Sequence, residues 1–309
     1  RSLDEFINGR MEFDDMGRDT NIEIFKDTEN LVKKNPILKE AVAASTRMQK
    51  VILETENVGV QSLNRYAKDA SVIVSKKRTF DAAAAYRGKK VAVLNFASAS
   101  NPGGGVTKGS SAQEECLCRC SGLYFNLNVP YAWNGFYTPH RKAKNPIHND
   151  DIIYTPSVTV FKTDTVNPAL LPEKDWYQVN IISCAAPNLR EKPSNGFNSG
   201  DGNECIKISD RELLQVHEKR LRRILDVAAA CENEVVILGA FGCGAFKNKP
   251  EVVALAAKNV LKDYRKAFET IEFAVYSTPR DEGNYKTFAR VLHSLKKYIT
   301  NISKYPVRF

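Results

Sequence analysis

Gly103-Gly104-Gly105, followed after seven residues by Gln113-Glu114-Glu115, is the stretch of this 309-residue sequence whose residue types could do chemistry. Consecutive glycines free the backbone for positive φ and leave its amides uncovered. Such a turn can cradle an anion with N–H groups rather than charged side chains. The adjacent carboxylates open what reads as a helix, where an acid can be held against a ligand lying on the glycines. A glycine run alone reads as a surface loop, and an acidic helix start as a solvated one; the pairing of the two favours chemistry. A second glycine-rich stretch, Gly239 to Phe246, follows the apolar run Val235–Leu238.

Other chemistries fit less well. A P-loop needs Gly-Lys-Ser/Thr, whereas the order here is Lys108-Gly109-Ser110, and neither loop carries a dinucleotide-binding pattern at the right place. Cys116, Cys118 and Cys120 tempt a metal reading, but alternate residues of a helix point about 200° apart and cannot converge on one ion. His140, His148, His217 and His293 show no ligand spacing. No metal and no cofactor is therefore expected. Cys243 has no evident basic partner and reads as a small residue in a tight loop, while Phe246 is open between core packing and ligand contact.

The net charge of +9 favours polyanions, including nucleic acids and pyrophosphate-containing polymers. No apolar run approaches the roughly 18 residues that span a bilayer. The start lacks the regions of a signal peptide, so a cytoplasmic protein is expected, or a nuclear one in a eukaryote. Seven cysteines, an odd number, argue against a disulfide framework.

The elements that must position these residues alternate. Residues 1 to about 20 read as a loose arm, Ile22 to Val32 as a helix, and Pro36 to about Glu54 as a second helix capped by Asn35. From Val72 onward strands and helices take turns. Strands are predicted at Val72–Val74, Lys90–Phe96, Ile152–Tyr154 and Val158–Phe161 around a Pro156 turn, Val179–Ser183, Val235–Leu238 and Ile271–Tyr276. Helices are predicted at Phe80–Tyr86, Gln113–Gly122, Asp210–Cys231, from Pro250, and at Gly283–Thr300. The stretch up to Asp150 reads as a long irregular connection, and Asn188–Asn203 as a loop bordering a site. This alternation predicts a central, mostly parallel sheet with helices on both faces and ligands at the carboxyl ends of its strands. A single domain is expected, with an arm and accessory helices over residues 1–69 and a core over 70–309.

The Gly-Gly-Gly and Gln-Glu-Glu pair resembles the pattern of poly(ADP-ribose) glycohydrolases. The flanking Val93 to Pro102, Ser121-Gly122-Leu123-Tyr124, Ile152-Ile153-Tyr154, Ala186-Pro187-Asn188 and Leu238 to Gly244 are similar to the microbial-type branch. The resemblance runs from about Ile22 to Tyr285, most of the chain. It implies a three-layer α/β/α macrodomain-like core that binds ADP-ribose, with N-terminal accessory helices. It implies Glu115 as the catalytic acid, with Glu114 and Gln113 positioning ribose and shaping the loop. Gly103, Gly104, Gly105 and Val106 would lie along ribose and diphosphate. Gly239, Phe241, Gly242, Cys243, Gly244 and Ala245 would wrap the diphosphate, and Phe246 would pack on the terminal ribose. Ser98 and Asn101 are further candidates for contact with that ribose. Cys116, Cys118 and Cys120 stand where the family usually has Ser or Ala.

The implied reaction hydrolyses the ribose–ribose O-glycosidic bond of poly(ADP-ribose) and releases ADP-ribose. Glu115, its pKa raised by burial, would protonate the leaving oxygen and then deprotonate water. Glu114, next door, cannot flank the other face of the sugar as in the usual glycosidase pair. The expected partner is the polymer or an ADP-ribosylated protein, with no membrane, no base-specific nucleic acid and a monomeric state. The competing readings are a mono-ADP-ribosyl hydrolase and a non-catalytic ADP-ribose reader.

Overall fold

The computed structural model describes residues 3–196 and 199–302. Its seven strands, β1 (Lys50–Ile52), β2 (Ser71–Ser75), β3 (Val91–Phe96), β4 (Ile152–Val160), β5 (Tyr177–Cys184), β6 (Val235–Leu238) and β7 (Thr270–Ala274), form one sheet. The order is β1-β4-β5-β3-β6-β7-β2. Strands β5, β3, β6, β7 and β2 run parallel, while β4 is antiparallel to β5 and β1 antiparallel to β4. The mixed, mostly parallel sheet is the one expected.

The helices are α1 (Leu3–Lys34), α2 (Pro36–Met48), α3 (Thr79–Ala84), α4 (Gln113–Cys120), α5 (Leu123–Leu127), α6 (Pro130–Ala132), α7 (Thr138–Ala143), α8 (Asp210–Ala230), α9 (Pro250–Leu261) and α10 (Gly283–Ile302). They cover both faces. Val91 and Val93 of β3 join Phe80, Leu117, Leu123 and Phe136 in one core; Ala92 and Leu94 join Ile224, Val253 and Phe288 in the other. The unbroken apolar runs of β3 and β6 follow from this, because parallel strands are buried on both sides. No helix among the described residues is long and apolar enough to cross a membrane.

Local signals behave as chemistry requires. Asn35 caps α2, its side chain accepting from the amides of Ile37 and Leu38, and Ser209 with Glu212 forms a reciprocal capping box at α8.

Four stretches differ from expectation. The predicted loose arm is helical from Leu3 onward; Arg1 and Ser2 lie outside the described residues. The second helix stops at Met48 instead of running to Glu54. Gln49 is buried and its amide donates to Asn126 O and Thr155 Oγ1, both at 2.9 Å, so tertiary bonds turn the chain outward into edge strand β1. The connection before Asp150 is largely helical, because Pro130 and Pro139 stand in the first turns of α6 and α7, where no amide donor is needed. Pro156 does not break β4 into two strands. It sits at a bulge, with Ser157 at φ 55° and its amide donating to Asn180 Oδ1 over 3.0 Å.

Candidate active site

Strand β3 delivers Asn95 and Phe96 to the carboxyl edge of the sheet, and Gln113 fastens the start of α4 to that strand end. Its Oε1 accepts from the Phe96 amide at 2.9 Å, and its Nε2 donates to Leu94 O at 2.8 Å and Thr79 Oγ1 at 3.2 Å. Both ends of this amide are therefore engaged by protein, which makes Gln113 the fastener that presents the two carboxylates.

The glycine run approaches those carboxylates as closely as backbone can. Gly103 and Gly104 have φ 69° and 60°. A Cβ on Gly103 would meet the Tyr124 ring at 2.7 Å, and one on Gly104 would lie 2.5 Å from Glu115 Oε1. Only glycine fits both the conformation and the space. The Gly105 amide donates to Glu115 Oε1 over 3.0 Å.

Both acids are buried. Glu114 Oε1 accepts from Asn95 Nδ2 at 3.2 Å and Oε2 from the Ser98 amide at 2.7 Å. Burial, followed by the charge of Glu115, pushes the Glu114 carboxyl up to about 8. Burial likewise holds Glu115 above its ordinary value, against the Gly105 amide and Arg119, which favour the charged form. Glu115 differs from its neighbour in one respect. Its buried Oε2 has no hydrogen-bond partner among the described residues.

These groups line a cleft of about 960 Å³. Of the candidates named from sequence, Ser98, Gly104, Gly105, Gln113, Glu114, Glu115, Gly242, Gly244, Ala245 and Phe246 line it. Gly103, Val106, Asn101, Gly239, Phe241 and Cys243 are not part of its lining. Val106 is fully buried in the core. Asn101 is held by Arg141, and its Nδ2 lies 3.4 Å from Ser199 O. Phe241 packs inward against Phe96 and His217, with ring centroids at 5.5 and 6.0 Å. A Cβ on Gly239 would lie 2.8 Å from the Phe96 ring and 2.9 Å from Ala274 O, so this glycine serves packing. The second loop is shaped by Asn248, whose Nδ2 donates to Pro187 O at 2.7 Å and Gly242 O at 3.0 Å. Phe246, open in the sequence reading, faces the cleft.

The catalytic-domain model of microbial-type PARG matches residues 19–163, which include the first glycine run and both acids. A solved poly(ADP-ribose) glycohydrolase from Deinococcus radiodurans, in complex with ADP-ribose, is 34% identical; the match covers 82% of this chain and 97% of that one, with a TM-score of 0.69. The enzyme from Thermomonospora curvata bound to the inhibitor ADP-HPD is 29% identical over 87% of this chain and 98% of that one, with a TM-score of 0.73. Another structure of the T. curvata enzyme is 28% identical over 88% and 98%, with a TM-score of 0.75. The comparison with curated proteins gives no match. The chain belongs to the microbial-type poly(ADP-ribose) glycohydrolase family.

In this family member the cleft also recruits residues that carried no signal in sequence. Gly17, Arg18 and Asn21 of α1 form part of the wall. Asn21 Nδ2 donates to Gly109 O at 3.0 Å, and a Cβ on Gly109 would lie 2.4 Å from Arg18 O, so α1 lies directly against the loop that carries the glycine run into α4. Thr28 Oγ1 donates to Arg119 O at 2.6 Å, tying α1 to the far end of α4 as well. Arg78 and Asp164 line the same cleft with Tyr276, over whose half-exposed ring the Arg78 guanidinium sits at 4.4 Å. Tyr276 stands just beyond β7, and the rule that ligands bind beyond strand carboxyl ends could have found it. Cys116, Cys118 and Cys120 go to separate neighbourhoods: Arg78 and Arg119, the Gly103 turn, and Thr163 O.

Proposed function

We propose that this protein hydrolyses ribose–ribose O-glycosidic bonds of poly(ADP-ribose) and releases ADP-ribose, with Glu115 as the acid. The observation that carries the reading is the Glu115 carboxyl, fixed at Oε1 by the Gly105 amide, with buried Oε2 lacking a partner among the described residues beside the cleft.

In this reading the diphosphate lies on the glycine loops, where backbone amides orient the ribose before reaction. The Glu115 proton passes to the oxygen leaving the anomeric carbon as that C–O bond breaks, and the ribose takes up oxocarbenium character. The ionised carboxylate then accepts a proton from water, whose oxygen bonds the anomeric carbon, and the acid is restored. Glu114 lines the cleft beside Glu115, held on both oxygens by N–H donors, and positions the ribose. A cytoplasmic setting, or a nuclear one in a eukaryote, belongs to the same proposal, as does a single domain in which residues 1–69 act as arm and accessory helices.

The test is release of free ADP-ribose from automodified poly(ADP-ribosyl)ated protein, wild type beside Glu115→Ala. Release by the wild type alone supports both the activity and the acid. Equal release by the variant removes Glu115 from the mechanism.

A further inference from the structure

Asn188, Arg190 and Asp201 belong to a segment that touches both glycine loops. The Leu189 amide donates to Phe246 O at 2.9 Å, and Lys108 Nζ donates to Gly196 O at 2.5 Å. Arg190 lines the cleft, with its guanidinium 5.2 Å from the centroid of the Phe246 ring. A chain of buried groups lies behind it. Arg190 Nε donates to Asn188 Oδ1 at 3.1 Å, and Asn188 Nδ2 donates to Asp201 Oδ2 at 2.8 Å. Asp201 Oδ1 lies 3.1 Å from His148 Nε2, and His148 Nδ1 lies 2.7 Å from Ala186 O. His148, Asn188 and Asp201 are all buried.

A buried carboxylate is costly unless its oxygens are matched by donors, and Asp201 has the Asn188 amide on Oδ2. Asn188 joins Arg190 to Asp201 by hydrogen bonds, with His148 Nε2 beside the Asp201 carboxylate, and what this clasp presents to the cleft is a guanidinium. The guanidinium lies over the Phe246 ring and its Nε is held by Asn188, while the two Nη groups have no acceptor among the described residues and can take a ligand. Half-burial penalises the Arg190 cation, which lowers its pKa and makes an anionic partner favourable. Arg78, across the cleft, already has Asp164 Oδ1 at 3.7 Å and Cys116 Sγ at 3.5 Å.

We propose that Arg190 binds a phosphate of the substrate, and that His148, Asp201 and Asn188 are positioning residues that set its guanidinium against Phe246. This rests on the polymer-hydrolysing reading above. The phosphate belongs either to the ADP-ribose unit on the glycine loops or to the adjoining unit of the polymer, and the two sources are separable.

The experiment compares wild type, Arg190→Ala, Arg190→Lys, Asp201→Asn and the Arg190→Ala/Asp201→Asn double variant on short poly(ADP-ribose), with calorimetric binding of free ADP-ribose alongside. Losing one charge-assisted contact raises KM about tenfold while kcat stays within about twofold. Lysine restores only part of it, because it lacks the planar fork. Asp201→Asn raises KM to a similar degree, and the double variant is no worse than Arg190→Ala, since the clasp acts through Arg190. Weaker binding of free ADP-ribose assigns the phosphate to that unit; unchanged binding with a raised polymer KM assigns it to the adjoining one. Unchanged KM and affinity in Arg190→Ala overturn the phosphate role. Additive losses in the double variant overturn the positioning role, and His148→Gln repeats that arm if Asp201→Asn does not fold. A wild type that releases no ADP-ribose from polymer defeats the underlying reading instead, and calorimetry with both ADP-ribose and short poly(ADP-ribose) then decides on Arg190, unchanged affinity for both in Arg190→Ala overturning it.

Discussion

The Gly105 amide holds Glu115 Oε1 at 3.0 Å. Next to it, Gly104 leaves only 2.5 Å between its missing Cβ and that same oxygen. Gly104→Ala must therefore either move Glu115 or shift a turn that an L side chain adopts at a cost of about 1–2 kcal/mol. Displacing a reacting group by about 1 Å can cost roughly a hundredfold in rate. Steady-state kinetics should show kcat/KM falling by about that factor, with a far smaller change in melting temperature.

Glu115→Gln keeps the shape of the carboxyl and its acceptor for the Gly105 amide but removes the transferable proton. Turnover should fall roughly 10²- to 10⁴-fold, while ADP-ribose affinity stays within about threefold in isothermal titration. Lost binding would contradict the division between cradle and acid.

Glu115 donates only when protonated, and burial holds its pKa above the ordinary 4.5. Activity should therefore be lost as pH rises through that raised value, and kcat/KM should show an alkaline limb. Glu114→Gln should retain the limb, because the proton comes from Glu115. A flat profile in that variant would assign the limb to Glu114, whose carboxyl is pushed up to about 8.

His217 is buried, with Nε2 at 2.8 Å from Asn248 Oδ1, and burial pushes its pKa down from 6.5 to about 4. The unfolded chain binds this proton more readily than the folded one, so the contribution is fully present above pH 6.5 and is lost as pH falls towards 4. Its size is roughly 3 kcal/mol. Urea unfolding at pH 7 and pH 4.5 should show this loss in wild type and a smaller one in His217→Gln, whose amide cannot titrate. Because Asn248 also holds Gly242, loosening of the second glycine loop should accompany the loss.

Gln113→Leu fills the same space but leaves the Phe96 amide and Leu94 carbonyl without their side-chain partners. Stability should drop by about 2 kcal/mol, read from the urea midpoint. Turnover should drop with it, because the start of α4 is no longer tied to β3. Unchanged turnover at reduced stability would separate Gln113 from presentation of the acids.

What the sequence by itself determined was local. The apolar runs Val91–Leu94 and Val235–Leu238 announce strands buried on both faces, and the helices between them imply a parallel sheet. Glu114 and Glu115 lie near the glycine run because a short segment and one helical turn permit little else. Tertiary structure alone decided which way loop side chains face. Phe241 and Phe246 share one loop, yet Phe241 packs on Phe96 and His217 while Phe246 lines the cleft beneath Arg190. No period governs a loop, so its course is set by contacts such as the Asn248 amide's bond to Pro187 O, 61 residues away in sequence. The same holds for the cations. Arg18, Arg78 and Arg190 meet at one cleft because α1, the start of α3 and the segment after β5 converge there. Periodicity reports how an element is buried, whereas the composition of a site depends on which elements the fold brings together.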